Sequence, residues 1–150
     1  MVNPREVIRR LIKYLVEGAV VGFGGRANPE VEKKYAKYLN SVESKIYNKE
    51  KLLYGLFQGK RRIAELDKAI LVEGYTDVMA MHQAGVGNTV ATCGTALTEH
   101  QARLLRRFCK QVVIFRDGDA AGMRAAHRDI PILYKAGFNV SVVICPEGED

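Results

Sequence analysis

The apolar pattern of the chain is most distinctive in the stretch VVIFRDGDAAG, residues 112–122. Its first four residues are apolar and β-branched or aromatic, which is typical of a strand buried on both faces in a parallel sheet. Asp117 and Asp119 flank a glycine after this strand, and a segment of helical composition begins at Ala120. Two carboxylates therefore lie where a strand passes into a helix, and in open α/β sheets ligands bind at that edge.

Regular alternation of strand-like and helix-like segments begins at Ala69 and continues to the last strand. Thr98 and Gln101 form a capping box that predicts the start of one helix, and Gly137 predicts the end of another, within which Pro131 is expected to cause a kink or a break. Four strands with three helices between them predict a parallel sheet with right-handed crossovers. The strands are expected at 69–73, 88–92, 112–115 and 139–145, and the helices at 76–84, from 98 onward and from 120 to 136.

The pattern before Ala69 is less regular. Apolar residues at helical spacing predict a helix over 4–17 that ends at Gly18, followed by a short strand over 19–23. The glycines of 22–27 predict either a turn that lets Arg26 and backbone NH groups approach an anion, or a plain β-turn. No second parallel strand with an acidic end follows, so a dinucleotide site is not predicted. Short helices are expected between 52 and 66, broken near Gly59.

The chain is basic overall, and much of its positive charge lies in residues 30–68. The 23 Lys and Arg exceed the 17 Asp and Glu, a net charge of +6 that favours anionic partners, with nucleic acid first. Lysines and tyrosines interleave over residues 30–68, a composition that suits single-stranded nucleic acid, although solvated lysines beside inward-facing tyrosines would give the same pattern. We therefore predict a small basic α+β subdomain over 1–68, followed by a parallel α/β domain over 69–150.

Cysteine usage and hydropathy exclude several classes of protein. The three cysteines, Cys93, Cys109 and Cys145, are far apart and form no CxxC pair, so neither a zinc site nor a disulfide framework is predicted. They are expected to be free thiols in a cytoplasmic protein. Lys13 and Glu17 interrupt the only long apolar run, so no signal peptide or membrane segment is expected.

Acidic residues follow three of the four predicted strands. Glu73 closes the first, Asp117 and Asp119 follow the third, and Glu147, Glu149 and Asp150 follow the fourth. Carboxylates gathered at one edge suit Mg²⁺, which is commonly shared with substrate phosphates in phosphoryl transfer, with helix capping as the alternative role. No G-x-x-x-x-G-K-[ST] motif is present, so a P-loop NTPase is excluded. The residues alone therefore indicate a Mg²⁺-dependent enzyme acting on a nucleotide or nucleic acid.

At Glu73 and Asp117-Gly118-Asp119 the sequence resembles the Toprim domain of primases, topoisomerases and some nucleases. Six blocks, in the family's order, resemble the RNA polymerase core of the bacterial replicative DNA primase. These are VVGFGGRA (20–27), KYLNS (37–41), IYNKEKLLYGL (46–56), LVEGYTDVMAMHQAGV (71–86), DGDAAG (117–122) and PEGED (146–150). The resemblance implies a Toprim-type four-stranded parallel sheet with flanking helices over 69–150.

The resemblance also implies a function and a set of site residues. It implies synthesis of RNA primers on single-stranded DNA from ribonucleoside triphosphates, with Mg²⁺, or Mn²⁺ in its place, as cofactor. Glu73, Asp117 and Asp119 match the catalytic metal ligands, and Asp150 would join them. The positions that match nucleotide or template contacts are Arg26, Lys37, Asn40, Lys49, Tyr75 and Asp77.

Some features depart from the family. Arg116 stands where an aromatic residue usually precedes DGD, and Val42 where proline usually follows Asn-Ser. The zinc-binding and helicase-interacting domains of the family are not in these 150 residues, and the replicative helicase is expected to bind through the latter. We therefore expect a partial core with weak or no primer synthesis on its own. The alternatives are a Toprim nuclease or topoisomerase fragment and a non-catalytic single-strand-binding module.

Overall fold

The computed structural model describes residues 8–27, 38–92 and 94–145. The chain forms two compact units, residues 1–48 and 49–150. The first contains a three-stranded antiparallel sheet made of β1 (Ile8–Val16), β2 (Ala19–Ala27) and β3 (Tyr38–Asn40), in that order.

The helix predicted over residues 4–17 is wrong, because β1 occupies the described part of that range. Glu17 and Gly18 have φ of 50° and 86°, as a two-residue type I′ hairpin turn requires, and they connect β1 directly to β2. Ile12 and Tyr14 are buried while Lys13 between them is exposed, which is the alternation of a strand. Strand pairing therefore determines the secondary structure of this segment, and Gly18 lies in a hairpin turn and not at the end of a helix.

The glycine turn predicted over 22–27 is also wrong, because these residues continue β2. A Cβ at Gly22 would lie 2.5 Å from the Tyr47 ring, and one at Gly24 would lie 2.8 Å from Oδ1 of Asn40. Glycine is therefore required here for close packing of aromatic and amide side chains onto the strand. Tyr47 is buried, as expected if tyrosines of the basic region face inward.

The four parallel strands predicted for the second unit are confirmed, and a fifth strand is present at residues 53–54, where the sequence predicts a short helix. The strand order of this sheet is β4-β6-β5-β7-β8, and only β4 is antiparallel to its neighbour. The strands are β4 (Leu53–Tyr54), β5 (Lys68–Val72), β6 (Thr89–Thr92), β7 (Gln111–Arg116) and β8 (Asn139–Ile144). The helices are a 3₁₀ helix (Lys49–Lys51), α1 (Leu56–Leu66), α2 (Tyr75–Gln83), α3 (Glu99–Arg106) and α4 (Ala120–Lys135).

Neither of two predicted helix breaks occurs. Helix α1 runs through Gly59, where a Cβ would lie 2.5 Å from the carbonyl oxygen of Gly87, so this glycine permits close helix packing. Helix α4 continues past Pro131, which is exposed, while Leu133 beyond it is fully buried. Packing on both sides of the proline offsets the lost backbone hydrogen bond.

The core of the second unit is formed by strand and helix side chains that exclude water almost completely. In β7 the buried positions alternate, at Val112, Ile114 and Arg116, with half-buried residues between them, so burial on both faces is only partial there. All four residues of β6 are buried, as expected for a central strand. None of the described helices is long and apolar enough to cross a membrane.

Cys109 is a free thiol in this core, and Cys145 is a free thiol that is partly buried. Burial is the main reason that the pKa of Cys109 is raised to about 11, with Asp67 adding to the effect. The Cys109 thiol is therefore inert at neutral pH, consistent with the free cysteines predicted from the sequence.

Candidate functional site

The predicted acidic edge lies at the carboxyl ends of two adjacent parallel strands. Strand β5 pairs with β7 in a register that places Leu71 opposite Ile114. Glu73 directly follows β5, and Asp117 directly follows β7, so both acids leave the sheet at the same edge. The structure therefore brings Glu73 and the Asp117–Asp119 turn to neighbouring positions, as the strand pattern predicts.

The electrostatics of Glu73 reflect this proximity. Burial raises the pKa of its carboxyl above the ordinary value, Arg116 opposes this shift, and the negative charges of Asp117, Asp119 and Asp77 add to it. Mutual repulsion among carboxylates makes a cation favourable at this edge. The arrangement is therefore suited to a positive ligand.

The Asp117–Asp119 turn is shaped by tight backbone packing at the start of α4. Oδ1 of Asp119 accepts a hydrogen bond from the backbone N–H of Gly122 at 2.7 Å, so this acid is the N-cap of α4. A Cβ at Gly122 would lie 2.3 Å from the carbonyl oxygen of Asp117, a distance that no real side chain tolerates. The capping role considered from the sequence is thus real for Asp119, and its second carboxylate oxygen remains available for another ligand.

Asp77 and Tyr75 act locally on the segment that follows Glu73. Oδ2 of Asp77 accepts a hydrogen bond from the N–H of Gly74 at 2.8 Å, which fixes the turn between Glu73 and α2. Tyr75 is buried and packs edge-on against Tyr54, with ring centroids 5.2 Å apart. Both contacts support the backbone that carries Glu73.

Lys49 is positioned by a buried glutamine. Gln101 is fully buried and donates from Nε2 to the carbonyl oxygens of Lys49 and Leu52, at 2.9 and 2.7 Å. Its Oε1 accepts from the N–H of Thr98, which completes the capping box predicted for α3. The same residue therefore caps α3 and fixes the basic 3₁₀ segment.

The remaining predicted contact residues are placed only in part. In the first unit, Oδ1 of Asn40 accepts from the Tyr14 hydroxyl at 2.7 Å, and Arg26 lies in β2 with its backbone opposite Tyr38. Lys37 and Asp150 lie outside the described residues, as does the whole PEGED block.

Arg116 and Asp129 form a buried ion pair that the sequence did not predict. Nη2 of Arg116 lies 2.6 Å from Oδ2 of Asp129, and the two side chains are 4% and 0% exposed. Nε of Arg116 is also 4.0 Å from Oε1 of Glu73. The available signal was an arginine in phase with the buried residues of β7 and an aspartate in phase with Gly122, Ala126 and Leu133 on the buried stripe of α4.

A cleft of about 230 Å³ lies beside this pair. Glu73 and Arg116 line it from the strand ends, Arg128 and Asp129 line it from α4, and Thr92 with residues 94–97 complete its wall. Among the three acids Glu73, Asp117 and Asp119, Glu73 alone lines this cleft, which has room for a small polar ligand.

The donor chemistry of the edge fits a divalent cation such as Mg²⁺. Glu73, Asp117 and Asp119 are hard oxygen ligands whose charges repel one another, and this repulsion is relieved by a bound cation. Within the described residues, however, no group of three His, Cys, Asp or Glu side chains is close enough to hold a metal ion. The acids therefore have the oxygen ligands that Mg²⁺ prefers and lie at one edge of the sheet. They do not form a closed ligand shell within the described residues.

Two family models match different parts of the chain. A family model described as Toprim-like matches residues 70–150, and one described as the N-terminal domain of the DNA primase catalytic core matches residues 11–60. The DNA primase of Halalkalibacterium halodurans is 48% identical over 134 residues, covering 89% of this chain and 22% of that protein. The DNA primase of Aquifex aeolicus is 48% identical over 133 residues, covering 89% and 26%.

Three solved structures that are similar to this chain are also of primases. The zinc-binding and RNA polymerase domains of the Aquifex aeolicus primase match with a TM-score of 0.88 and 46% identity, over 93% of this chain and 34% of that chain. The Escherichia coli primase catalytic core matches with a TM-score of 0.83 and 33% identity, over 100% and 50%. A DnaG primase catalytic domain bound to single-stranded DNA matches with a TM-score of 0.81 and 35% identity, over 93% and 46%.

These matches cover both compact units, although the chain spans only about a quarter of the length of the two curated relatives. They agree with the parallel sheet of the second unit. The chain therefore belongs to the Toprim-like family and is similar to the catalytic core of DNA primases.

Proposed function

We propose that this chain is part of the catalytic core of a DNA primase, which synthesises RNA primers on a single-stranded DNA template. The observation that carries the proposal is the placement of Glu73 and Asp117 at the same edge of adjacent parallel strands. The substrates are ribonucleoside triphosphates, and the reaction is nucleotidyl transfer in the cytoplasm. The replicative helicase is the expected partner of the complete protein.

In this proposal Glu73, Asp117 and Asp119 hold Mg²⁺, and Asp150 joins them. The cation would neutralise charge on the triphosphate and activate the attacking hydroxyl of the primer. Asp119 serves two roles, because one carboxylate oxygen caps α4 and the other would bind the cation. Asp77 keeps Glu73 in place through the N–H of Gly74.

The basic and polar residues Arg26, Lys37, Asn40 and Lys49 are proposed to bind the triphosphate or the template. The backbone of Lys49 is held in place, because buried Gln101 donates to its carbonyl oxygen. Tyr75 is proposed to support the nucleotide site through packing, since its ring is buried against Tyr54. We propose that the basic subdomain ends at residue 68, since the Toprim-like match begins at residue 70, although the compact units divide between residues 48 and 49.

The proposal is tested by incubating the chain with single-stranded DNA, labelled ribonucleoside triphosphates and Mn²⁺. RNA products that require the metal and disappear in Glu73→Gln would support it. DNA nicking without ribonucleotide incorporation would favour a Toprim nuclease instead. Salt-sensitive DNA binding that is unchanged by chelation and by Glu73→Gln, with no product, would favour a non-catalytic binding module.

A further inference from the structure

Arg116 occupies an unusual position for a charged residue. It is the last residue of β7, it faces inward with only 4% exposure, and it directly precedes Asp117. Two carboxylates lie near its guanidinium: Asp129 at 2.6 Å from Nη2, and Glu73 at 4.0 Å from Nε. The buried guanidinium of Arg116 therefore interacts strongly with Asp129, which lies outside the proposed metal ligands, and more weakly with Glu73, which is one of them.

The contacts of Arg116 and Asp129 explain why the guanidinium lies closer to Asp129 than to Glu73. Asp129 is fully buried, and its other oxygen lies 3.6 Å from Nε of Arg128 on the same helix. Nε and Nη1 of Arg116 form no hydrogen bond within the described residues. The short pair with Asp129 therefore determines where the guanidinium lies, and its Nε lies 4.0 Å from Oε1 of Glu73 without forming a hydrogen bond.

We propose that Arg116 is a positioning residue that sets the concentration of divalent metal at which Glu73 binds the ion. The pair with Asp129 holds the guanidinium close enough to attract Glu73 toward the edge, and far enough away that a divalent ion can still displace that attraction. This inference rests on the proposed role of Glu73 as a metal ligand.

Loss of the Asp129 charge should shift the balance toward Glu73. In Asp129→Asn the amide retains the shape and one acceptor, but the guanidinium loses its nearby buried counter-charge. Arg116 would then pair more closely with Glu73 and compete with the metal. The Mn²⁺ concentration at half-saturation is expected to rise by about tenfold.

Removal of both charges should have the opposite effect. Replacement of a buried ion pair by apolar residues of similar volume is commonly neutral or stabilising, so Arg116→Leu with Asp129→Leu is expected to fold. Glu73 then has no competing guanidinium, and the half-saturating Mn²⁺ concentration is expected to fall by several-fold, up to about tenfold. A general disturbance of the site would weaken metal binding in both variants instead.

The experiment measures Mn²⁺ binding to the whole chain, without nucleotide, from the electron paramagnetic resonance signal of the free ion. Circular dichroism confirms that each variant is folded. The matched control is Arg103→Gln, which removes an exposed guanidinium paired with Glu99 on α3. This control should bind Mn²⁺ as the wild type does.

Shifts of opposite sign in Asp129→Asn and in the double variant would support the inference. Unchanged binding, or weaker binding in both, would overturn it while leaving the proposed function intact, provided that Glu73→Gln still weakens Mn²⁺ binding. If Glu73→Gln binds Mn²⁺ as tightly as the wild type, the metal role of Glu73 fails and the inference fails with it.

Discussion

The carboxylate of Asp119 accepts a hydrogen bond from the N–H of Gly122 at 2.7 Å, so an acid of the candidate metal site is also the N-cap of α4. The structural role of this residue and its proposed chemical role therefore use different properties of one side chain. Capping needs an oxygen acceptor, whereas metal binding needs the negative charge.

Two substitutions at Asp119 should separate these roles. Asp119→Ala removes the cap and is expected to lower the free energy of unfolding by about 1 kcal/mol, while Asp119→Asn retains an acceptor and should cost about half of that or less. Urea denaturation measures both changes. Metal-dependent nucleotide binding should be lost in both variants, and retention of binding in Asp119→Asn would contradict the metal role.

Gly122→Ala is expected to disturb the acidic turn directly. The added Cβ would lie 2.3 Å from the carbonyl oxygen of Asp117, so the turn or the start of α4 must move. We expect a loss of about 2 kcal/mol in the free energy of unfolding, together with weaker metal-dependent nucleotide binding.

The control for this substitution is Gly87→Ala. Its Cβ would meet only Cγ of Arg62, at 3.9 Å, which is an ordinary contact. A result in which Gly122→Ala is as stable as Gly87→Ala would contradict the close packing at Asp117.

Glu73→Gln should stabilise the chain at neutral pH when no divalent metal is present. Because burial raises the pKa of this carboxyl above its ordinary value of 4.5, folding favours its protonated form. The corresponding stability is present below the ordinary pKa and is lost as the pH rises through the raised pKa. Glutamine resembles the protonated acid, so its advantage should appear near neutral pH and vanish near about pH 4.

Thermal unfolding in the presence of a chelator, at both pH values, measures this effect. Glu65→Gln is the matched control, because Glu65 is partly exposed on α1 and pairs with Arg61. A lower melting temperature for Glu73→Gln than for the wild type at neutral pH would show that the carboxylate is stabilising, contrary to the electrostatic account.

Gln101→Ala is expected to destabilise the second unit by about 3 kcal/mol. The substitution leaves the carbonyl oxygens of Lys49 and Leu52 and the N–H of Thr98 without their buried partner. Chemical denaturation measures the loss, and Gln58→Ala, at an exposed position of α1, is the control. Similar small effects in both variants would show that the Gln101 hydrogen bonds contribute little.

The sequence was sufficient to predict the parallel sheet because each strand is a short apolar run that ends at polar turn residues. Thr98 with Gln101, Asp119 and Gly137 mark helix ends through local chemistry that is independent of the rest of the fold. The acidic edge followed from the same logic, since acids after parallel strands meet at one edge.

Tertiary contacts determined the features that the sequence did not predict. The apolar spacing of β1 is compatible with a helix, and only pairing with β2 across the Glu17-Gly18 turn selects a strand. Gly59 suggested a helix break because its close approach to Gly87 is visible only in the folded chain. The ion pair of Arg116 and Asp129 likewise joins a strand to the following helix, and no local rule predicts its partner.

We propose that Glu73 and the Asp117–Asp119 turn form one metal-dependent nucleotide site. The most direct test is binding of a labelled ribonucleoside triphosphate to the wild type, Asp117→Asn and the control Glu65→Gln, each with Mn²⁺ and with a chelator. We predict that binding requires Mn²⁺, is weakened by at least about tenfold in Asp117→Asn, and is unchanged in Glu65→Gln. Equal binding by all three proteins, with or without the metal, would contradict the claim.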